Sequence, residues 1–316
     1  MTAASETART RTTPLVYAVL LAMPLFYSSN MVIGRAAVAE TAPWTLGFFR
    51  WAIAFAILAV IGRRDIRAAW GTIRGAWRLF VLLGFLGMVL CGGMLYWALE
   101  YTTATNATLI YTTSPIVIVL LERLFGDERL SPWRWLGIGL AFLGVVIIVV
   151  QADLGRLLAL RLNPGDAVVL LAAISWAGYS VLLKRPTLRA MPVAASFAAI
   201  AGAGTLLLLP FMLAEIWITG SGLPSSASAW TSIVALAIIP SVLAFSAYQF
   251  GVERVGATRT GVFLYLLPPY GVVLAVVFLG EGFEPYHALG FVCIMAGVLT
   301  VTAPGLQLAR GGQRTV

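Results

Sequence analysis

Leu99–Val145 reads LEYTTATNATLIYTTSPIVIVLLERLFGDERLSPWRWLGIGLAFLGV, and Val252–Val298 reads VERVGATRTGVFLYLLPPYGVVLAVVFLGEGFEPYHALGFVCIMAGV. One ungapped shift of 153 residues lays Glu100 on Glu253, Ala104 on Ala257, Thr105 on Thr258 and Pro115 on Pro268. The same shift lays Phe125 on Phe278, Glu128 on Glu281, Pro132 on Pro285, Gly137 on Gly290 and Gly144 on Gly297. Apolar matches between two hydrophobic stretches are cheap. Glu, Pro and Gly are costly in such stretches, so their agreement in one register marks an internal duplication.

The rest of the composition places this duplication in a membrane. Hydrophobic residues make up 60% of the chain and charged residues 11%, and the mean hydropathy is +0.93. A soluble chain needs far more charge to cover its surface. The net charge of +8 comes from arginines in short gaps between apolar runs. Topology and anionic headgroups account for them, and no nucleic-acid partner is expected. Cys91 and Cys293 lie inside apolar runs, so neither a disulfide nor a metal centre is expected, and no cofactor.

A span needs roughly 20 apolar residues. Ten stretches meet this, at 14–34, 43–61, 79–99, 104–124 and 132–151, then 165–184, 192–214, 229–251, 257–279 and 285–303. The first resembles a leader, with Arg9 and Arg11 before it and Ala37-Val38-Ala39 after it. It is read as a retained span. Asn30 and Arg35 interrupt the stretch, and Leu21, Ala22, Phe26 and Arg35 fall on Leu171, Ala172, Trp176 and Arg185 at a shift of 150.

Basic residues set the orientation. With a cytoplasmic N-terminus, 17 of the 21 Lys and Arg fall inside, leaving Arg35, Arg50, Arg156 and Arg161 outside. This bias puts both termini in the cytoplasm. Five spans per copy is an odd number, so the second copy enters from the opposite face and Glu128 and Glu281 face opposite sides. The expected fold is an all-α polytopic membrane protein of ten transmembrane helices, arranged as two inverted five-helix repeats. The expected division is a cytoplasmic tail at 1–13, repeats at 14–151 and 165–303, and a cytoplasmic tail at 304–316. Between Arg63 and Arg78, Ile66, Trp70, Ile73 and Trp77 recur at helical spacing. That predicts one short helix lying in the interface, more simply a connector than a lipid sensor.

Backbone polar groups in hydrocarbon must be satisfied internally, so breakers need a reason. Pro24 and the matched pair Pro115 and Pro268 are expected to interrupt their spans. Matched breaks near the midplane point to a transport path, although a single proline only kinks a helix. Polar and aromatic residues gather on spans one, three, four, six, eight and nine, which are expected to line a cavity inside an outer ring of the other four. Candidate substrate-binding residues are Asn30, Tyr96, Tyr111, Trp176, Tyr179, Tyr248, Gln249 and Tyr265. Trp176 and Tyr179 share a helix face, and Tyr96 and Gln249 coincide under the shift of 153. Trp44, Trp133, Trp135, Trp230 and Tyr286 sit at span ends and read as interfacial anchors. For Asn30 an interhelical hydrogen bond is as good a reading as a ligand contact. The glycine pairs Gly137/Gly144 and Gly290/Gly297 read as close-packing sites, with dimerisation as the alternative.

Arg50 falls near the outer end of the second span, with the reach to snorkel to the interface. No Asp, Glu, Lys or His is placed clearly at mid-depth, where a proton relay is expected. That weighs against proton coupling and favours neutral or zwitterionic solutes.

The chain resembles the drug/metabolite transporter superfamily in its EamA branch. The resemblance rests on Phe26-Tyr27-Ser28-Ser29-Asn30 with Arg35, Trp176-Ala177-Gly178-Tyr179-Ser180 with Lys184-Arg185, and Phe49-Arg50. It rests also on Ala98-Leu99-Glu100-Tyr101 leading to Ser114-Pro115, and Gly256-Ala257-Thr258 leading to Leu267-Pro268. Gly126-Asp127-Glu128 and Gly280-Glu281-Gly282 complete it. At Phe26-Tyr27 many relatives have Trp-Gly, a departure at the cavity wall. The resemblance implies ten helices in an inverted repeat about a central cavity, exporting small metabolites, with amino-acid exporters, aromatic ones included, in this branch.

The expected function is therefore secondary export of amino acids or related small metabolites by alternating access. The expected setting is a bacterial inner membrane, with the protein acting as a monomer in the lipid bilayer. Export of other solutes by proton antiport is the alternative. A lipid-modifying membrane enzyme or a channel is more remote: no cluster of catalytic Asp or His marks an interface, and no GxxxxGK[ST] run supports ATP-driven transport.

Overall fold

The computed structural model describes residues 3–98, 100–102, 104–125, 131–158, 163–279 and 282–302. Glu128, Glu281 and the expected C-terminal tail lie outside the described residues. The described chain is helical throughout. It opens with α1 (Ala3–Val38), α2 (Pro43–Ile61), α3 (Arg63–Ala68), α4 (Trp70–Gly75) and α5 (Trp77–Gly84). A π-helical segment, Phe85–Gly93, leads into α6 (Met94–Ala98), then α7 (Ala104–Tyr111), α8 (Ser114–Phe125), α9 (Pro132–Val149) and α10 (Leu154–Leu158). The second half holds α11 (Pro164–Leu182), α12 (Pro186–Arg189), α13 (Val193–Thr219) and α14 (Ala227–Leu236), then a π-helical segment at Ala237–Leu243. It closes with α15 (Ala244–Val255), α16 (Ala257–Val262), a 3-10 turn at Phe263–Leu266, α17 (Leu267–Leu279) and α18 (Pro285–Thr302).

Eight helical segments among the described residues are long and apolar enough to cross a bilayer. This is a multi-pass integral membrane protein. The two expected spans not among these eight are the first, whose described apolar stretch is Pro14–Asn30 within the longer α1, and the ninth. The stretch 257–279 is divided by its 3-10 turn, leaving α17 with 13 residues as its longest piece.

Helix ends follow local chemistry. Pro43 and Pro164 start α2 and α11, where a missing N–H costs nothing. Asn163 and Asp166 form a reciprocal capping box at α11. The start of α2 has no cap of its own. Glu215 of α13 supplies one, accepting from the N–H groups of Trp44 and Thr45 and from the Thr45 hydroxyl at 3.0, 2.7 and 2.8 Å. The interfacial segment is two short helices rather than one, with a turn at Ala69. That turn separates the expected apolar face: Ile66 and Ile73 pack on the core, while Trp70 and Trp77 are exposed.

The tightest pairing is α9 against α18, followed by α2 against α13. A Cβ on Gly137 would lie 2.9 Å from the Gly297 carbonyl, and one on Gly144 only 2.5 Å from the Gly290 carbonyl. The glycines therefore serve close packing within one chain. The contact also maps onto itself. Under the shift of 153, Gly137 becomes Gly290 and Gly297 is the image of Gly144, so one crossing point is the image of the other, as at a two-fold axis.

Candidate functional site

Four of the spans lose regular α-geometry at their middles, in two matched pairs. The π segments at Phe85–Gly93 and Ala237–Leu243 overlap when shifted by 153 residues. The break between α7 and α8, at Thr112-Thr113, falls on Tyr265-Leu266 of the 3-10 turn before α17. Pro115 and Pro268 are each the second residue of the helix that follows the break. Nearby hydroxyls satisfy the freed carbonyls. Thr112 and Thr113 donate to Leu109 and Ile110 at 2.8 and 2.6 Å. Ser28 of α1 lies 2.8 Å from the Pro24 carbonyl and 2.9 Å from that of Leu267. Pro24 itself does not break its helix, since α1 runs on through it to Val38.

These irregular middles surround a cavity of about 310 Å³. Asn30, Tyr96, Tyr111, Trp176 and Pro268 line it. Tyr27, Ser28, Cys91, Thr108, Thr112, Phe245 and Leu264 add to the wall. So do Arg50 and Trp51 of α2, a helix expected in the outer ring.

Arg50 is the largest departure from expectation. It does not snorkel: it is 4% exposed and faces the cavity. Seven residues separate it from the start of α2, a depth of about 10 Å at 1.5 Å per residue. Its Nε donates to Ser241 Oγ at 2.5 Å, and its Nη1 to Asn30 Oδ1 at 3.0 Å and to Tyr96 Oη at 2.6 Å. Tyr96 donates onward to Asn30 Oδ1 at 2.7 Å. The guanidinium carbon stands 5.2 Å from the Trp51 ring centre, a cation–π distance. No carboxylate among the described residues pairs with it. An arginine this deep is a functional signal by default, but span-end counting misplaced it and nothing in the uniformly apolar face of α2 gave its direction.

Beyond the cavity, toward the end where α11 finishes, the interior is closed by rings. Trp176 stacks on Tyr179 at 5.4 Å and meets Phe245 edge-on at 5.3 Å. Tyr27 meets Trp176 edge-on at 5.9 Å. Four expected site residues are not in the cavity wall. Tyr179, Tyr248, Gln249 and Tyr265 are buried behind it. Three of them close polar pairs: Gln249 Nε2 donates to Tyr179 Oη at 3.0 Å, and the hydroxyls of Tyr248 and Ser180 share a hydrogen bond of 2.6 Å. Tyr265 has no partner for its hydroxyl among the described residues. One turn further, Lys184 Nζ pairs with Glu122 Oε2, and Glu122 is 1% exposed. Glu122 stands in the last turn of α8. It is a buried carboxylate.

No group of three or more His, Cys, Asp or Glu that could hold a metal ion is present among the described residues. The arrangement offers one fixed cation, aromatic faces and hydroxyls around a small space, equipped for binding a solute.

Comparison with known proteins agrees with this geometry. The chain is 23% identical to the "Uncharacterized transporter YyaM" of Bacillus subtilis (strain 168), over 91% of this chain and 93% of that one. It is 29% identical to the "Probable terminal-alkyne amino-acid exporter" of Streptantibioticus cattleyicolor, over 71% of this chain and 72% of that one. A solved crystal structure shares the fold with a TM-score of 0.74 at 22% identity, covering 91% of this chain and 97% of that one. The EamA-like transporter family model matches residues 14–150 and again 163–303. The chain belongs to the EamA-like transporter family.

Proposed function

We propose that this protein is a secondary exporter of amino acids or related small metabolites in a bacterial inner membrane. It works by alternating access between two inverted five-helix halves, 14–151 and 165–303, with both termini cytoplasmic and one chain sufficient. The observation that carries the reading is the central cavity, walled by Tyr27, Tyr96, Tyr111 and Trp176 and bordered by paired helix interruptions. Interrupted helices in related positions are where transporters place their solutes. The self-mapping glycine crossing supports ten spans about a two-fold axis. The probable amino-acid exporter among the relatives supports the solute class. With cytoplasmic termini, the aromatic layer and the Lys184–Glu122 pair close the cavity on the cytoplasmic side. Loading from the cytoplasm then requires them to part.

The test is counterflow in proteoliposomes with a panel of amino acids, sugars and organic cations. Saturable exchange of at least one amino acid is expected. Flux of sugars or cations alone would overturn the solute assignment, and non-saturable flux would overturn the carrier reading.

One observation favours proton antiport as a second reading. Glu122 is buried, and its Oε1 has no hydrogen-bond partner among the described residues. A carboxylate so placed can exchange a proton when the lysine withdraws. An imposed pH gradient that drives uptake in the wild type but not in Glu122→Gln would establish it. Equal uptake with and without the gradient would remove it.

A further inference from the structure

Arg50 is the one charged side chain among the described residues that line the cavity. It is held from three sides by neutral acceptors, Ser241, Asn30 and Tyr96. Those bonds use the donors of Nε and Nη1, and Nη2 takes no partner among the described residues. A buried guanidinium without a counter-charge is costly. The cost is met when an anion arrives, and the unspent Nη2 can give a carboxylate oxygen a charge-assisted hydrogen bond.

We infer that the transported solute is a small monocarboxylate whose carboxylate binds Arg50, with its apolar remainder against Tyr27, Trp176 and Phe245. The inference rests on the transporter reading and narrows its substrate class. Charge sets the number: one cation in the wall balances one negative charge, which disfavours a phosphate dianion. Shape sets the remainder. Tyr27, Trp176 and Phe245 present mutually packed rings, 5.3 to 5.9 Å between centres. A volume of about 310 Å³ is at the small end for ligand pockets, which run from about 300 to 1,000 Å³. Arg50 also draws on both halves, since Ser241 belongs to the second half while Asn30 and Tyr96 belong to the first. A carboxylate on Arg50 therefore sits where the halves meet.

The test uses the full chain, purified and reconstituted, with thermal stabilisation and competition for counterflow as readouts. The probes are the amino acids, their decarboxylated amines, their amides, 3-phenylpropionate and phenyl phosphate. In the wild type, acids should bind at least ten-fold more tightly than the matching amines and amides, as a charge-assisted hydrogen bond requires. Arg50→Gln should collapse that ratio toward one, and Arg50→Lys should restore part of it. The wild-type arm decides even where Arg50→Gln fails to fold. Acids no better than amines in the wild type, a preference for phenyl phosphate, or an unchanged ratio in a folded Arg50→Gln protein would each overturn the inference. Acids that bind without being exchanged would sink the export reading and leave the Arg50 site standing. Saturable exchange of amines and sugars alone would sink the Arg50 site and the amino-acid assignment and leave the carrier reading standing.

Discussion

The cavity wall around Arg50 and the layer behind Trp176 are both buried and both rich in polar atoms, yet they differ in how those atoms are spent. Behind Trp176 most polar groups are spent in pairs: Gln249 with Tyr179, Tyr248 with Ser180, and Lys184 with one oxygen of Glu122. Around Arg50 the acceptors are shared, and among the described residues the charge has no carboxylate and one nitrogen is unspent. A closed set of hydrogen bonds rigidifies and excludes water. An open set is a place for a ligand. The shift of 153 sharpens the contrast, because it superposes Tyr96 of the open set on Gln249 of the closed one. The duplication copied the backbone device, a π segment in the same place, and the two copies then took different side-chain chemistry.

The largest expected effect falls where the two regions touch. Trp176 is 3% exposed and packs on Tyr27, Tyr179, Phe245 and Tyr248. Trp176→Ala should destabilise the protein by about 3–5 kcal/mol, the usual cost of deleting a buried aromatic, and abolish exchange. Tyr111→Ala, at a half-buried wall position, should reduce exchange with a smaller loss of melting temperature. Equal losses in both measurements would erase the distinction between wall and layer.

Next comes the closed set itself. Tyr179→Phe removes the acceptor of Gln249 Nε2 and leaves a buried amide unpaired, at about 1–3 kcal/mol. Its signature differs from that of the cavity variants. Melting temperature should fall, and a cysteine at position 180 should become reactive from the side where α11 ends, with solute selectivity unchanged. Altered selectivity would move Tyr179 into the binding site.

Much of this architecture is legible in the residues, and the reasons are physical. Gly, Pro and Glu carry a penalty in hydrocarbon, so Gly137, Pro115 and their images reveal both the duplication and the break sites. What the residues leave open is rotation. Beyond its first turn α2 is apolar on every face except at Arg50, so its depth can be counted while its direction cannot. Polar composition fails in the same way on spans six and eight. Trp176 and Phe245 reach the cavity, while Tyr179, Tyr248 and Gln249 face one another, and helical spacing alone does not separate those cases. The first π segment is silent in the sequence, because widening a helix needs no special residue and Phe85–Gly93 contains no proline, whereas the second carries Pro240. In the ninth span the unmarked feature is the length of the break. Pro268 signals an interruption, but the 3-10 turn that precedes it shortens the helix more than one proline predicts.

Asn30→Asp tests the open set with little cost in stability. It places a carboxylate 3.0 Å from Arg50 Nη1, a built-in competitor for any anionic solute. Melting temperature should hold or rise, with a change within about 1 kcal/mol for a pair replacing an existing hydrogen bond. Exchange of carboxylates should fall about ten-fold or more. Retained exchange would show that the guanidinium is already neutralised by other means and that the set is closed after all.

The smallest effect is expected at a third polar cluster, closed like the layer behind Trp176 but fully exposed. Glu40, in the turn after α1, accepts from Ser226 at 2.5 Å and from Ser228 at 2.9 Å. Ser226 also caps α14 through the Ala229 N–H. The two hydroxyls hold the Glu40 carboxyl below its ordinary value of 4.5. A depressed carboxylate contributes stability that is present above its unfolded value and lost as pH falls through its folded one. The contribution of Glu40 should therefore be complete at neutral pH and vanish on acidification below the ordinary carboxylate range. Because water competes for each of these bonds, Glu40→Gln should lower the melting temperature only slightly at pH 7, with the difference from wild type closing in acid. A large loss at pH 7 would mean that exposure matters less than closure. Hydrogen-bond completeness alone would then separate structural polar clusters from binding ones in this protein.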